Sequence, residues 1–128
     1  MKSLTRYIQE KLVIKKSNNL FDHKYFPKTK EELQDLIKQR IKKEGKKANL
    51  NDIDVSKITD MSRLFMGLNF SGDISQWNVS NVKDMSSMFY GLGTFNQDIS
   101  GWNVSNGPDM TTMFSECPIE EKYKPKFK

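Results

Sequence analysis

The residues best able to bind or transform a ligand recur at fixed intervals along this chain. Asp73 and Asp98, with Asn78, Asn103, Asn81 and Asn106, supply oxygen ligands of the kind calcium takes. The glycine-rich nonapeptide that binds calcium between coils is missing, so these side chains are expected to hydrogen-bond nearby backbone at corners instead. No metal and no cofactor is expected. Trp77 and Trp102 have the chemistry of a stacking platform for sugars or bases. Ile53 holds the same place in an earlier copy of the pattern, which assigns this column to the core. His23 and Cys117 are single residues of their kinds. His23 has no partner motif, and one cysteine makes neither an intrachain disulfide nor a thiolate cluster. There is no nucleophile–base pair, no phosphate-binding loop and no dinucleotide fingerprint, so a non-enzyme is expected. Lys38, Arg40, Lys42, Lys43, Lys46 and Lys47 form a basic run able to meet phosphate. No aromatic residue interleaves it, so it reads as a solvated helix face, with nucleic acid as the alternative partner.

The charge is divided along the chain. Residues 1–49 carry 14 Lys/Arg against 6 Asp/Glu, residues 50–117 carry 3 against 8, and residues 118–128 carry 4 against 2. An acidic middle between basic ends implies at least two physical regimes. No stretch approaches the roughly 18 apolar residues of a membrane span. The N-terminus has scattered charges and no small-residue cleavage site, and Cys117 lies far from it. Neither a secretory signal nor a lipoprotein anchor is read, and a reducing, cytoplasmic setting is expected.

Stepping the sequence against itself shows what must position these residues. Asp73-Ile74-Ser75-Gln76-Trp77-Asn78-Val79-Ser80-Asn81 recurs 25 residues later as Asp98-Ile99-Ser100-Gly101-Trp102-Asn103-Val104-Ser105-Asn106. A more divergent copy, Leu50 to Ile58, precedes them by 24. The second half of the unit repeats as Asp60-Met61-Ser62-Arg63-Leu64-Phe65, Asp84-Met85-Ser86-Ser87-Met88-Phe89 and Asp109-Met110-Thr111-Thr112-Met113-Phe114. The missing residue falls between Gly67 and Phe70, where loops absorb deletions cheaply.

Aligned, the copies form columns. Leu50, Ile74 and Ile99 share one; Ile53, Trp77 and Trp102 the next; Val55, Val79 and Val104 the third. Together they read L-x-x-L-x-L, the strand signature of a leucine-rich repeat. The Met61, Leu64 and Phe65 columns suit one helical turn laid on the core, with Asp60, Asp84 and Asp109 as N-caps and Gly67 and Gly91 closing it left-handed. The expected fold is therefore α/β: a short right-handed solenoid whose residues 53–55, 77–79 and 102–104 pair as parallel strands.

The pattern in Phe95-Asn96-Gln97-Asp98-Ile99-Ser100-Gly101-Trp102-Asn103-Val104-Ser105-Asn106 resembles the BspA-like leucine-rich-repeat family. Its repeat of roughly 25 residues occurs in Mycoplasma-type lipoproteins, bacterial surface proteins and some phage-encoded proteins. The resemblance covers residues 50–117. It implies a leucine-rich-repeat-like solenoid used in adhesion or protein binding, with no catalytic residues to transfer. Gly107-Pro108 departs from Val82-Lys83 and Ile58-Thr59, and marks where the pattern breaks off.

Residues 20–49 read as an N-terminal cap. Thr29-Lys30-Glu31-Glu32 fits a capping box; Leu33, Leu36, Ile37 and Ile41 share a helical face; and Gly45 ends the helix. With a strand at 24–26 and another at 50–55, this helix over 29–44 makes a β-α-β unit. Residues 118–128 form a basic tail. Residues 1–19 comprise a separate amphipathic helix, with Leu4, Ile8 and Leu12 in a stripe, and a polar linker. The start resembles the capsid-targeting peptide of tailed-phage internal head proteins, and Ile8-Gln9-Glu10 matches the cleavage pattern of that peptide. The resemblance implies phage cargo carried in the virion as an alternative role. The leading expectation is a monomeric protein-binding module. Its partner is unidentified, and its face is the outward row Asp54, Asn78 and Asn103 beside Ser56, Ser80 and Ser105.

Overall fold

The computed structural model describes residues 23–126. The N-terminal helix expected over residues 1–14 and the motif Ile8-Gln9-Glu10 lie outside the described residues. Among the described residues there is one α-helix, α1 (Lys30–Glu44), followed at a distance by a 3-10 turn at Glu121–Tyr123.

Helix α1 starts and stops where its caps dictate. Thr29 Oγ1 accepts from the Glu32 amide at 3.1 Å, which satisfies one of the free donors of the first turn. Glu32 reaches back past the cap to accept from the Lys28 amide at 3.0 Å. Gly45, at φ 89°, donates its amide to Ile41 O and ends the helix. Leu33 and Ile37 are fully buried, and Leu36 and Ile41 pack beside them. The apolar face seen in the sequence is thus the face laid on the core.

Beyond Leu50 the chain winds through three stacked coils. Phe65, Phe89 and Phe114 stack with centroids 5.4 and 5.6 Å apart, their planes within 8° and 5° of parallel. A second row joins Phe70 to Phe95 at 6.2 Å, and each member also stacks on the Phe of its own coil, at 4.7 and 4.6 Å. Offset stacking of buried rings adds about 0.5–1.5 kcal/mol per pair beyond the area buried. The aromatic columns are therefore the spine of the core.

The expected parallel strands are absent. Among the described residues there are only three isolated parallel bridges, Tyr25 with Ile53, Asp60 with Asp84, and Asp84 with Asp109. The chain is thus not an α/β solenoid of parallel strands. The β-α-β cap reduces to α1 and a single bridge, in which Asp54 donates to Tyr25 O at 2.8 Å. The reason lies in the corners. At Ser56, Ser80 and Ser105 the amide is taken by the side chain two residues earlier, so it is lost to any ladder. Coils are joined here by side chains instead. Trp77 Nε1 donates to Leu50 O at 2.9 Å, and Trp102 Nε1 to Ile74 O at 3.0 Å.

The backbone joins coils on the other half of the unit, and it does so by alternation. Met61, Arg63 and Phe65 donate their amides to Asp84, Ser86 and Met88 of the next coil at 2.8, 2.9 and 3.0 Å. Between them, Leu64, Met66 and Leu68 donate within their own coil to Met61, Arg63 and Phe65. The second coil repeats this: Met85, Ser87, Phe89 and Gly91 donate to Asp109, Thr111, Met113 and Ser115 at 2.7, 3.0, 3.0 and 2.9 Å. An α-helical turn would direct its bonded amides four residues back along the same coil and would not alternate them with the next coil. The helical turn expected after each Asp is accordingly replaced by successive tight turns. Their cost is visible as positive φ at Arg63, Ser87 and Thr112, at 57°, 55° and 51°. Gly67 and Gly91 take the left-handed conformation their type suits, at 80° and 74°.

Candidate functional site

Asp54, Asn78 and Asn103 stand at equivalent corners of successive coils, and most of their acceptors are already used. Asp54, Asn78 and Asn103 each accept the amide of the serine two residues on, at 2.9, 3.1 and 3.0 Å. The Ser80 and Ser105 hydroxyls donate to the same oxygens at 2.7 and 2.6 Å. Asn81 Nδ2 then donates to Ser56 O of the preceding coil at 2.8 Å, and Asn106 Nδ2 to Ser80 O. Ser56, Ser80 and Ser105 are therefore members of the corner, not free ligands. What the row offers outward is the Nδ2 group of Asn78 and of Asn103, both exposed, and the half-buried carboxylate of Asp54. Partial burial works against ionisation of Asp54. The Ser56 hydrogen bonds, with the charges of His23 and Lys57, outweigh it and lower the pKa.

The same corner recurs at Asp73–Ser75, Asp98–Ser100, Asp60–Ser62, Asp84–Ser86 and Asp109–Thr111. These bonds give Asp73, Asp98, Asn78 and Asn103 the corner role expected of them in place of calcium binding. Asp98 and Asp109 are held below the usual carboxylate range, chiefly by the Ser100 and Thr111 hydroxyls and then by the amides of the same residues. Burial opposes ionisation at Asp60, but Ser62 and the Lys30 ammonium at 3.3 Å outweigh it. The sign follows. A folded-state pKa below the unfolded value of about 3.9 gives stability that is complete above that value. It is lost as pH falls through the folded-state values. Melting temperature should therefore be level from neutral pH down to about pH 4–5 and decline below it. Asp98→Asn keeps an acceptor at the corner and removes one titration. Thermal melts of this variant should decline less steeply below pH 4 than wild type, and a parallel decline would count against the assignment.

The tryptophans are buried in the core, at 4% and 3% exposure, and so make no stacking platform. Beside Trp102 lies a shallow depression of about 340 Å³ lined by Gly101, Asn103, Val104, Ser105 and Lys126. Another of about 350 Å³ lies between Gln76 and Gly101, where the second coil's glutamine is replaced by glycine. Neither holds a nucleophile–base pair. Cys117 is half-buried, its Sγ 3.5 Å from Phe95 O, and burial pushes its thiol pKa up, away from thiolate chemistry.

The basic run separates into two kinds of residue. Lys38, Lys42, Lys43, Lys46 and Lys47 are exposed. Arg40 is not available to phosphate. Its guanidinium donates to both Asp52 oxygens at 2.8 and 3.0 Å and to Asn49 O at 3.0 Å, pairs with Glu44, and lies 5.5 Å from the Tyr25 ring centroid. The Glu44 hydrogen bond is the largest cause of a pKa raised far above the ordinary arginine value. Arg40 thus ties the end of α1 to the start of the first coil. Spacing alone does not show this, because Asp52 is brought to Arg40 only by the turn after Gly45.

Repeated coils on a common aromatic core, self-braced at every corner, define a small repeat protein. The family model described as "Mycoplasma protein of unknown function, DUF285" matches residues 32–122, and the chain belongs to that family. The match runs from within α1 to the 3-10 turn, so it includes most of the helix and all three coils. Neither the curated proteins nor the solved structures contain a match to this chain. Among the described residues no helix is long and apolar enough to cross a membrane.

Proposed function

We propose that the chain is a non-enzymatic protein-binding repeat module whose partner face is the row Asp54, Asn78 and Asn103. One observation carries this reading. The second and third coils present their row residue from a corner fixed three times over, by the side-chain acceptor, by the serine hydroxyl and by the Asn81 or Asn106 bond between coils. The first coil's corner is held by the Asp54 acceptor and the Asn81 bond to Ser56 O. Groups held this way lose little freedom on binding, which favours recognition. Ser56, Ser80 and Ser105 support the row from behind.

The corner chemistry dictates the variant. Lysine at these positions would remove the acceptor and loosen the turn. Asn78→Asp with Asn103→Asp retains Oδ1 and turns the two outward donors into charged acceptors. This double variant should melt within about 1 kcal/mol of wild type, as surface changes that keep their hydrogen bonds do. It should lose at least about tenfold in affinity for the partner captured from the native host, since a reversed donor leaves buried polar groups unpaired. Unchanged affinity in isothermal titration would place the partner elsewhere on the molecule.

A further inference from the structure

The alternation that joins the coils has a direction, and at the third coil it is left unfinished. Met113, Ser115 and Cys117 donate within the coil to Met110, Thr112 and Phe114, as their counterparts do in the earlier coils. The intervening amides of Met110, Thr112, Phe114 and Glu116 find no acceptor among the described residues. They stand in the same register as Met85, Ser87, Phe89 and Gly91, all four of which are filled by carbonyls of the next coil. The apolar side of this edge is also incomplete. Met61, Met85, Phe65 and Phe89 are fully buried, whereas Met110 and Phe114 are only partly covered.

The segment after the third coil covers a different side. Tyr123 O accepts from Ile99 at 3.0 Å, the Glu120 amide donates to Asn96 Oδ1 at 2.9 Å, and Pro125 is buried. Lys124, with Nζ 5.3 Å from the Phe114 ring centroid, is the residue of this segment that comes over the edge among the described residues. The opposite end of the stack is closed by α1. There Lys30 Nζ bonds Ser62 O and Oγ at 3.4 and 3.1 Å and pairs with Asp60.

We propose that the edge Met110, Thr112, Phe114 and Glu116 is a docking site for an extended polypeptide segment of a partner protein, added parallel to the third coil as a further rung. The occupant's chemistry is set by continuity with the two coil–coil interfaces already present. It presents carbonyls at alternate residues to the four amides, and two apolar side chains, one over Met110 and one over Phe114. Strand addition of this kind draws affinity from main-chain bonds and specificity from alternate side chains. A second copy of this chain does not fit. Two open edges both present donors, and the carbonyl edge of the first coil lies under Lys30.

The test uses the full chain and a blocked peptide with the sequence of residues 83–91, which contains the Asp-Met-Ser-Ser-Met-Phe rung. Amide exchange by NMR should find the four edge amides fast in the free chain, with Met85, Ser87, Phe89 and Gly91 protected. Saturating peptide should slow each edge amide by about tenfold or more, as formation of a main-chain bond requires. A peptide with Met85→Asp and Phe89→Asp, the two side chains that would lie over Met110 and Phe114, should leave them unchanged. Three results would overturn the proposal: edge amides already protected in the free chain, peptide shifts confined to Asn78 and Asn103, or equal protection by both peptides. Sedimentation showing a dimer that protects the edge would also defeat it, by naming a second copy as occupant. The corner row is unaffected by any of these outcomes, because the Asn78→Asp with Asn103→Asp variant tests it separately.

Discussion

Phe89→Ala should destabilise the protein by about 3–5 kcal/mol, the usual cost of truncating a buried aromatic residue. The ring sits at the crossing of the aromatic rows. It stacks on Phe65 at 5.4 Å, Phe95 at 4.6 Å and Phe114 at 5.6 Å, and meets Trp102 at 6.1 Å. Alanine leaves a cavity walled by four rings, and coils pinned above and below by main-chain bonds cannot close over it. Against a total stability of order 5–15 kcal/mol, this is enough to bring the domain near its unfolding threshold. Phe114→Ala is the internal control. Phe114 lies at the open end and is only partly buried, so its loss should cost about half as much or less. Urea unfolding monitored by circular dichroism should separate the two midpoints clearly. Equal midpoints would mean that the stack carries no more weight at its centre than at its end.

Gly72→Ala should be the most damaging one-methyl change in the chain. A Cβ at this position would lie 1.9 Å from Ala48 O, 2.8 Å from a Phe70 ring carbon and 2.9 Å from Ala48 C. The first of these atoms is backbone and is held close by neighbouring bonds: Ser71 donates to Lys46 O at 2.7 Å, and Leu50 to Asp73 O at 3.0 Å. The strand of chain leaving α1 must move, so the cost should reach or exceed the upper end of the usual overpacking range, about 3 kcal/mol. Gly93→Ala meets nothing within 4 Å and needs no left-handed backbone. It should be neutral or gain up to about 1 kcal/mol by stiffening the unfolded chain. Thermal melts of the pair give the comparison, and a Gly72→Ala protein as stable as Gly93→Ala would refute the close approach.

Much of this architecture was legible in the residues because it is written as columns. Leu50, Ile74 and Ile99 are all fully buried, the tryptophan and valine columns are core, and the phenylalanines stack as their spacing requires. The limits of α1 were legible too, since Thr29 and Gly45 act through local bonds. The strands were not. An apolar period of two residues says which side chains face inward, and it is silent on where the amides go. Asx corners at Asp54, Asn78 and Asn103 compete with strand pairing through short side chains, and the sequence shows both partners without showing which wins. Asn78 and Asn103 are exposed and Asp54 is half-buried, but the oxygen atoms of the expected row are taken by Ser56, Ser80 and Ser105. The unfilled amide edge could not be read at all. It depends on which half of the repeat carries the backbone ladder, and that in turn depends on left-handed residues such as Arg63 and Ser87, whose types give no sign of it. The role of Gly72 could not be read either, because it depends on the position of Ala48.

The alternating ladder also bears on how the chain acquires its structure. Its bonds join residues about one coil apart, from Met61 to Asp84 and from Met85 to Asp109. The entropy lost in closing such a loop therefore stays the same however many coils follow. The first closure brings no neighbour to bond with, while each later one lays a row of carbonyl acceptors and a phenylalanine ring onto a surface already formed. Assembly of this kind is nucleated growth. Helix α1, built from local contacts and bound to the first coil through Lys30 and Arg40, is the natural seed. Growth from that seed would then run one coil at a time, away from the helix.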